Sequence, residues 1–239
     1  MAYFPMYIEL EHVRCLIAGG GQVAARKAEV LLDFGAEVWV VAPCIQESLR
    51  ENPKITCLLR QFQVQDLEEA KLVVAATDDK QLNHEISLWC RQRMIPVNAV
   101  DQTEDCTFIF PSYVKQGPVT AAVTSGGTSP VAAQYLKRRI EEIFPRNLGA
   151  TARLLGQVRP YVKKFLDTEA QRKKVYEGLL ETGLLKGTFA QEDVERFIKA
   201  AEGEMKKRNS GLEGREEEYG DSNWNQRIQA GNGPDGAGL

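Results

Sequence analysis

Histidine is nearly absent from this chain, its cysteines are unpaired, and long apolar runs are missing. The 239 residues hold two histidines, His12 and His84, and five cysteines, Cys15, Cys44, Cys57, Cys90 and Cys106, with no CxxC pair. An odd, scattered set of this kind argues against a disulfide framework and against a structural zinc site. The cysteines read as small buried hydrophobes, and the two isolated histidines as solvated or helix-surface residues, so no metal site is expected. No stretch approaches the roughly 18 consecutive apolar residues of a membrane span. The opening MAYFPMYIELEH lacks the basic and apolar regions of a secretory signal, and the expected location is cytoplasmic. An excess of one charge sign is missing too: 30 Lys and Arg against 33 Asp and Glu give −3, which argues against nucleic acid as the partner.

What is present is material for a core, 43% hydrophobic residues with 26% charged, as in a globular chain. VRCLIA (13–18), EVWVVA (37–42), ITCLL (55–59), KLVVAAT (71–77) and PVNAV (96–100) read as strands. Their apolar runs are continuous rather than alternating, which fits strands buried on both faces. Helical stretches alternate with them. QVAARKAEVLLDF places Val23, Val30, Leu31 and Phe34 on one stripe, and Gly35 ends it. A second helix is expected over 81–93. The fold class is α/β, a parallel sheet with helices on both faces. After Pro111 come a Gly-Pro hairpin, the GGTSP loop and a helix over 131–143 closed by Pro145. From 148 to 207 the reading is helical and charged, including a basic run (Lys163, Lys164, Arg172, Lys173, Lys174) that reads as a solvated face. Beyond Arg208, Gly, Asn and Glu dominate, and 208–239 is expected to be a disordered tail.

Gly19, Gly20 and Gly21 follow a strand and precede a helix, spelling G-x-G-x-x-A from Gly19 to Ala24. In that context the first glycine permits a tight turn and the second lets backbone approach a pyrophosphate. The small sixth residue lets helix and strand pack closely. Free N–H groups at the helix start then receive the phosphate charge. An acidic residue at the end of the second strand, which would take a ribose hydroxyl, is lacking. Val41, Ala42, Pro43 and Cys44 stand there, so this position leaves NAD against NADP open.

CLIAGGGQVAARKAEVLL, VVAATDD, PVNAVD, FIFPS and SGGTSP, in this order, resemble the precorrin-2 dehydrogenase family, which includes the N-terminal module of siroheme synthases. The match runs from Phe4 to about Lys174. The resemblance implies NAD-dependent oxidation of precorrin-2 to sirohydrochlorin in siroheme biosynthesis. Several members also insert ferrous iron as a sirohydrochlorin ferrochelatase, a lyase activity. The methyltransferase domain fused to some relatives is not expected here. The resemblance further implies a Rossmann domain at 1–112, a dimerisation segment at 113–147 and a helical domain at 148–207, assembled as a homodimer. It puts Gly19, Gly20, Gly21, Gln22 and Val23 at the pyrophosphate, Pro43 and Cys44 near the adenosine, and Thr77 and Asp78 at the edge of the fourth strand. It makes Asp101 the catalytic aspartate.

By position alone, an aspartate at the carboxyl edge of a strand reads as a helix or turn cap, and it is the resemblance that points Asp101 to catalysis. Ser125, Gly126, Gly127, Thr128 and Ser129 form a capping loop ahead of Pro130, with Ser129 as N-cap. They are also candidates to receive the substrate's carboxylates. A non-catalytic NAD-binding sensor module remains the alternative, since the glycine turn fits both readings. An unrelated oxidoreductase would want a catalytic His or Lys, for which the sequence offers no strong candidate.

Overall fold

The computed structural model describes residues 3–216. Five short strands form a parallel sheet: β1 (Arg14–Ala18), β2 (Glu37–Val41), β3 (Ile55–Leu58), β4 (Leu72–Ala75) and β5 (Val97–Ala99), in the order β3-β2-β1-β4-β5. Helix α1 (Gln22–Asp33) joins β1 to β2, the short α2 (Glu47–Arg50) precedes β3, and α3 (Lys80–Gln92) joins β4 to β5. Winding outward in both directions from β1 and β4 makes this a Rossmann-type α/β fold, with its topological switch between those strands.

The central strands β1, β4 and β5 bury both faces, as the continuous apolar runs predict, whereas the edge strand β3 is only partly buried and leaves Thr56 exposed. Cys15 and Ile17 of β1 pack with Ala24, Ala28 and Leu31 of α1 and with Val38, Val40 and Val74. Leu16 and Ala18 point the other way, toward Ile86 and Cys90 of α3 and Val73, Ala75 and Val97. The stripe that α1 buries is therefore mostly alanine: Ala24, Ala25, Ala28 and Leu31. Val23, expected on that stripe, is instead exposed. Alanines bring the helix axis close to the sheet, and the branched Val23 falls at the rim of the helix start.

Two compact units emerge, one of residues up to Tyr113 with Ala122–Ile140, the other of Val114–Ala121 with Glu141 onward. Residues 113–147 are thus shared between the two units. Strands β6 (Ser112–Gln116) and β7 (Val119–Val123) pair as a hairpin whose turn needs Gly117, at φ +60°. Helix α4 (Pro130–Ile143) follows it.

In the second unit, α5 (Leu148–Phe165), α6 (Glu169–Lys186) and α7 (Gln191–Glu216) bury Val162, Leu166, Val175, Leu179, Val194 and Ile198. Thr168 and Gln171 form a capping box at the start of α6, and Gly187 ends it in the left-handed region. No described helix is long and apolar enough to cross a membrane. Helix α7 runs to Glu216, past Arg208 where the tail was expected to begin. Leu212, Glu213, Arg215 and Glu216 favour a helix and no proline interrupts it, although Gly211 and Gly214 weaken it. The rest of the expected tail, 217–239, lies outside the described residues.

Candidate functional site

Strand register gathers the sequence-predicted residues on one edge. Ala18 pairs with Val41 and with Ala75, and Ala75 with Ala99, so four strands end level. Gly19 lies one residue past that row, Pro43, Thr77 and Asp101 two past it. This is the carboxyl edge of an open parallel sheet, where ligands bind. The ladder continues into the loops: Gly19 N–H donates to Val41 O (2.9 Å), Ala76 N–H to Ala18 O (2.7 Å) and Val100 N–H to Ala75 O (2.9 Å).

The three glycines do different work. A Cβ on Gly19, at φ +124°, would sit 2.1 Å from Ala76 O, and one on Gly20 would sit 2.2 Å from Cys44 O. Both are buried, and both let the turn pass between the β2 and β4 loops; Gln46 N–H donates to Gly20 O at 2.9 Å. Gly20 stands at an unconstrained position of the motif, and only the packing explains it. Gly21 is exposed, and a Cβ there would meet nothing within 4 Å.

Gly21 is also the N-cap of α1, with no side-chain cap and no acidic residue in the first turn. The first intrahelical bond is Ala25 N–H to Gly21 O at 3.1 Å, so the N–H groups of Gln22, Val23 and Ala24 have no helical carbonyl to bond. Open space, free donors and a positive helix end together fit a dinucleotide pyrophosphate. Gln22 and Val23 are exposed beside it, as are Pro43 and Cys44 on the β2 loop. Cys44 therefore departs from the expectation of buried cysteines; its backbone, not its thiol, packs on the glycine turn. Cys15 and Cys90 are buried, and burial pushes both thiols up to about 12.

Thr77 is half-buried and tied into the backbone. Its N–H and hydroxyl both donate to Asn83 Oδ1 (3.1 and 2.7 Å), and Asn83 Nδ2 returns a bond to Thr77 O at 3.0 Å. Asp78 is exposed. The next aspartate, Asp79, is the N-cap of α3, accepting from Gln81 and Leu82 N–H. Sequence reasoning passed over Asp79 and Asn83, although Asp followed by a helical run is an N-terminal signature.

Asp101 is exposed, at φ +59° in the left-handed region. Among the described residues nothing bonds its carboxylate. It is thus no cap, and it is free to meet a ligand. Beneath it Cys106 Sγ donates to Ala99 O (3.2 Å), and Asn98 Nδ2 donates to Phe108 O (3.0 Å). The Lys27 amine lies 4.0 Å from the centre of the Phe110 ring, and burial pulls its pKa down.

His84 is a helix-surface residue on α3, its ring 44% exposed, but it is also engaged: its Nδ1 lies 2.8 Å from Oδ1 of the buried Asp105. No sequence signal joins residues 21 positions apart. No group of three or more His, Cys, Asp or Glu that could hold a metal ion occurs among the described residues.

In the loop before α4, Gly126 and Gly127 need their positive φ of 64° and 87°. Ser129 Oγ accepts from Ala132 N–H at 3.2 Å as N-cap, and Ser125 Oγ accepts from Ser129 N–H at 2.9 Å. No hydrogen bond among the described residues joins 125–129 to the glycine turn or to Asp101.

Residues 6–112 match a protein family described as "Putative NAD(P)-binding". The siroheme synthase of Nitrosospira multiformis is 39% identical over 200 residues, 81% of this chain and 42% of the relative. That of Thioalkalivibrio sulfidiphilus is 41% identical over 184 residues, 76% of this chain and 38% of the relative. The chain spans about two fifths of the length of these curated relatives. A solved structure, "SirC, precorrin-2 dehydrogenase", is similar with a TM-score of 0.63 at 18% identity, covering 84% of this chain and 100% of that one. At that identity the likeness is one of fold.

Proposed function

We propose that this chain, about four fifths of which aligns with siroheme synthases, oxidises precorrin-2 to sirohydrochlorin with NAD. The observation that carries the reading is an open, uncapped helix start at Gly21 on the same sheet edge as the unengaged carboxylate of Asp101.

The reaction takes a hydride and a proton from the tetrapyrrole. NAD, when bound, supplies the acceptor for the hydride. The N–H groups of Gln22, Val23 and Ala24 would hold its pyrophosphate, Pro43 and Cys44 would flank its adenosine, and Thr77 and Asp78 would border it at the end of β4. Asp101 accepts the proton, as a general base held at a strand end. Ser125, Gly126, Gly127, Thr128 and Ser129 offer hydroxyl and N–H donors to the substrate's carboxylates. Precorrin-2 and NAD thus become sirohydrochlorin, NADH and a released proton.

In this reading residues 1–112 are the nucleotide-binding domain, 113–147 the dimerisation segment of a homodimer and 148–207 a separate helical domain. The dimer is supported by apolar side chains left exposed on α4: Val131, Tyr135, Leu136 and Ile143. Light scattering is expected to return twice the chain mass. Ferrous iron is a second substrate, inserted into sirohydrochlorin with Asp101 taking pyrrole protons; the macrocycle's own nitrogens supply the ligands, so no resident metal site is needed.

The deciding experiment is anaerobic incubation with precorrin-2 and NAD, following NADH and the sirohydrochlorin spectrum. Tight NAD binding without NADH formation would leave a non-catalytic NAD-binding module instead.

A further inference from the structure

The loop that carries Asp101 is anchored by a set of side chains that no motif announces. Past β5 the chain makes a left-handed turn at Asp101 and enters a 3-10 turn at Thr103–Asp105. Asp105 is 5% exposed. A buried carboxylate is retained only with partners, and two side chains supply them. His84 Nδ1, on the second turn of α3, contacts Oδ1 at 2.8 Å, and Gln102 Nε2 donates to Oδ2 at 3.1 Å. The same Gln102 amide donates to Lys80 O, at the start of α3, at 3.2 Å. These partners fix the amide's orientation, because a flipped amide would set its oxygen against two acceptors. Farther along α3, the Ser87 hydroxyl donates to Asp105 O (2.6 Å), and Arg91 donates to Glu104 O (2.8 Å).

Asp101 is therefore bracketed. Upstream, Val100 N–H is bonded into the sheet at Ala75 O. Downstream, the very next residue is clamped through Asp105 to α3. Between the two anchors sits an aspartate in a backbone conformation that non-glycine residues rarely adopt, with its carboxylate free. Gln102 Oε1 is buried and has no partner among the described residues, a defect that folding alone would not favour at this position. A left-handed turn held on both sides, with an unsatisfied buried group beside it, is a geometry that its neighbours maintain.

We propose that Asp105, with His84 and Gln102, is a positioning group that fixes the direction of the Asp101 carboxylate. This rests on reading Asp101 as the base. A general base must be held to a fraction of an ångström, and a shift of about 1 Å costs roughly a hundredfold in rate. Asp105 itself touches neither substrate nor cofactor in this account. Its effect passes through Gln102 into the backbone of the Asp101 turn.

The test uses the full chain with Asp105→Ala, His84→Ala and His84→Asn, the last restoring a donor near the place of Nδ1. Asp105→Ala is expected to lower kcat at least about tenfold, with KM for precorrin-2 and Kd for NAD within about twofold of wild type. His84→Ala, at a half-exposed site that tolerates truncation, should lower kcat less, and His84→Asn should return most of it. Unchanged kcat in Asp105→Ala and His84→Ala overturns the proposal, as does a parallel loss of kcat and NAD affinity, or a His84→Asn no better than His84→Ala. Amide hydrogen exchange over residues 100–106 gives an answer that needs no turnover. Faster exchange there in Asp105→Ala and His84→Ala, with β1 and β4 unchanged, supports the clamp; unaltered exchange overturns it. A wild-type chain that makes no NADH would sink the dehydrogenase reading, and the exchange arm would still decide the clamp.

Discussion

Replacing Gly21 with Asp separates the nucleotide site from the fold more cleanly than any other change in the chain. Gly21 has N-cap backbone, φ −88° and ψ −168°, which any L-residue adopts, and a Cβ there meets nothing within 4 Å. An aspartate in this position can accept a bond from the free N–H groups of α1 and complement the helix dipole. Capping of this kind stabilises by about 1 kcal/mol. The same carboxylate would stand where the pyrophosphate must lie. Two unit charges about 4 Å apart repel by about 4 kcal/mol at an effective dielectric of about 20. Screening at an exposed turn reduces that to about 2 kcal/mol, roughly a thirtyfold loss of affinity as a lower bound. Gly20→Ala is the contrasting variant. Its Cβ would fall 2.2 Å from Cys44 O and 2.7 Å from Ile45 Cα, both backbone, so the cost appears in stability, about 1–3 kcal/mol. Urea unfolding and NAD titration calorimetry on both proteins test the pair. Gly21→Asp should unfold at equal or higher urea and bind NAD at least about thirtyfold more weakly. Unaltered NAD affinity in Gly21→Asp would refute the assignment of the turn, and a destabilised Gly21→Asp would refute the account of its open space.

Asp101→Asn should fold normally, because Asn tolerates the left-handed region, and should lose roughly 100- to 10,000-fold in oxidation rate; near-native turnover would remove Asp101 from the mechanism. Alkaline stability carries a separate signature. Burial raises the Cys15 and Cys90 thiols from 9.0 to about 12, and burial and the bond to Asp33 raise Tyr113 from 10.0 to about 12. Groups raised in the fold stabilise it fully below their unfolded values, and that stability is lost as pH climbs toward the folded ones. Unfolding free energy should therefore fall above about pH 9, by at most about 1.4 kcal/mol per pH unit for each thiol. The double variant Cys15→Ala, Cys90→Ala should flatten the slope measured by urea titration, and an unchanged slope would contradict the assignment. Finally, anaerobic siroheme absorbance from sirohydrochlorin and ferrous iron should rise faster with the protein than without it, and Asp101→Asn should abolish the difference. A rate equal to the protein-free control would leave the chain a dehydrogenase alone.

The sequence by itself determined the elements of the nucleotide-binding half and their order. Strands buried on both faces must be apolar at every position, so runs such as LVVA in β4 are readable without coordinates. The glycine turn was legible for a similar reason: close backbone approach permits no side chain, and glycine has none. Thr77, Asp101 and the SGGTSP loop stood out by resemblance, and their backbone settings came only from the structure. Tertiary structure decided which glycine is open and which two are packed, because that depends on where the β2 and β4 loops pass. It also decided that α1 buries alanines and leaves Val23 out, since helix-to-sheet distance is a property of the pair. The contact of His84 with Asp105 was invisible for the same reason. Side chains on a helix and on a distant turn meet only when both elements pack on a common strand, and no local pattern records the meeting.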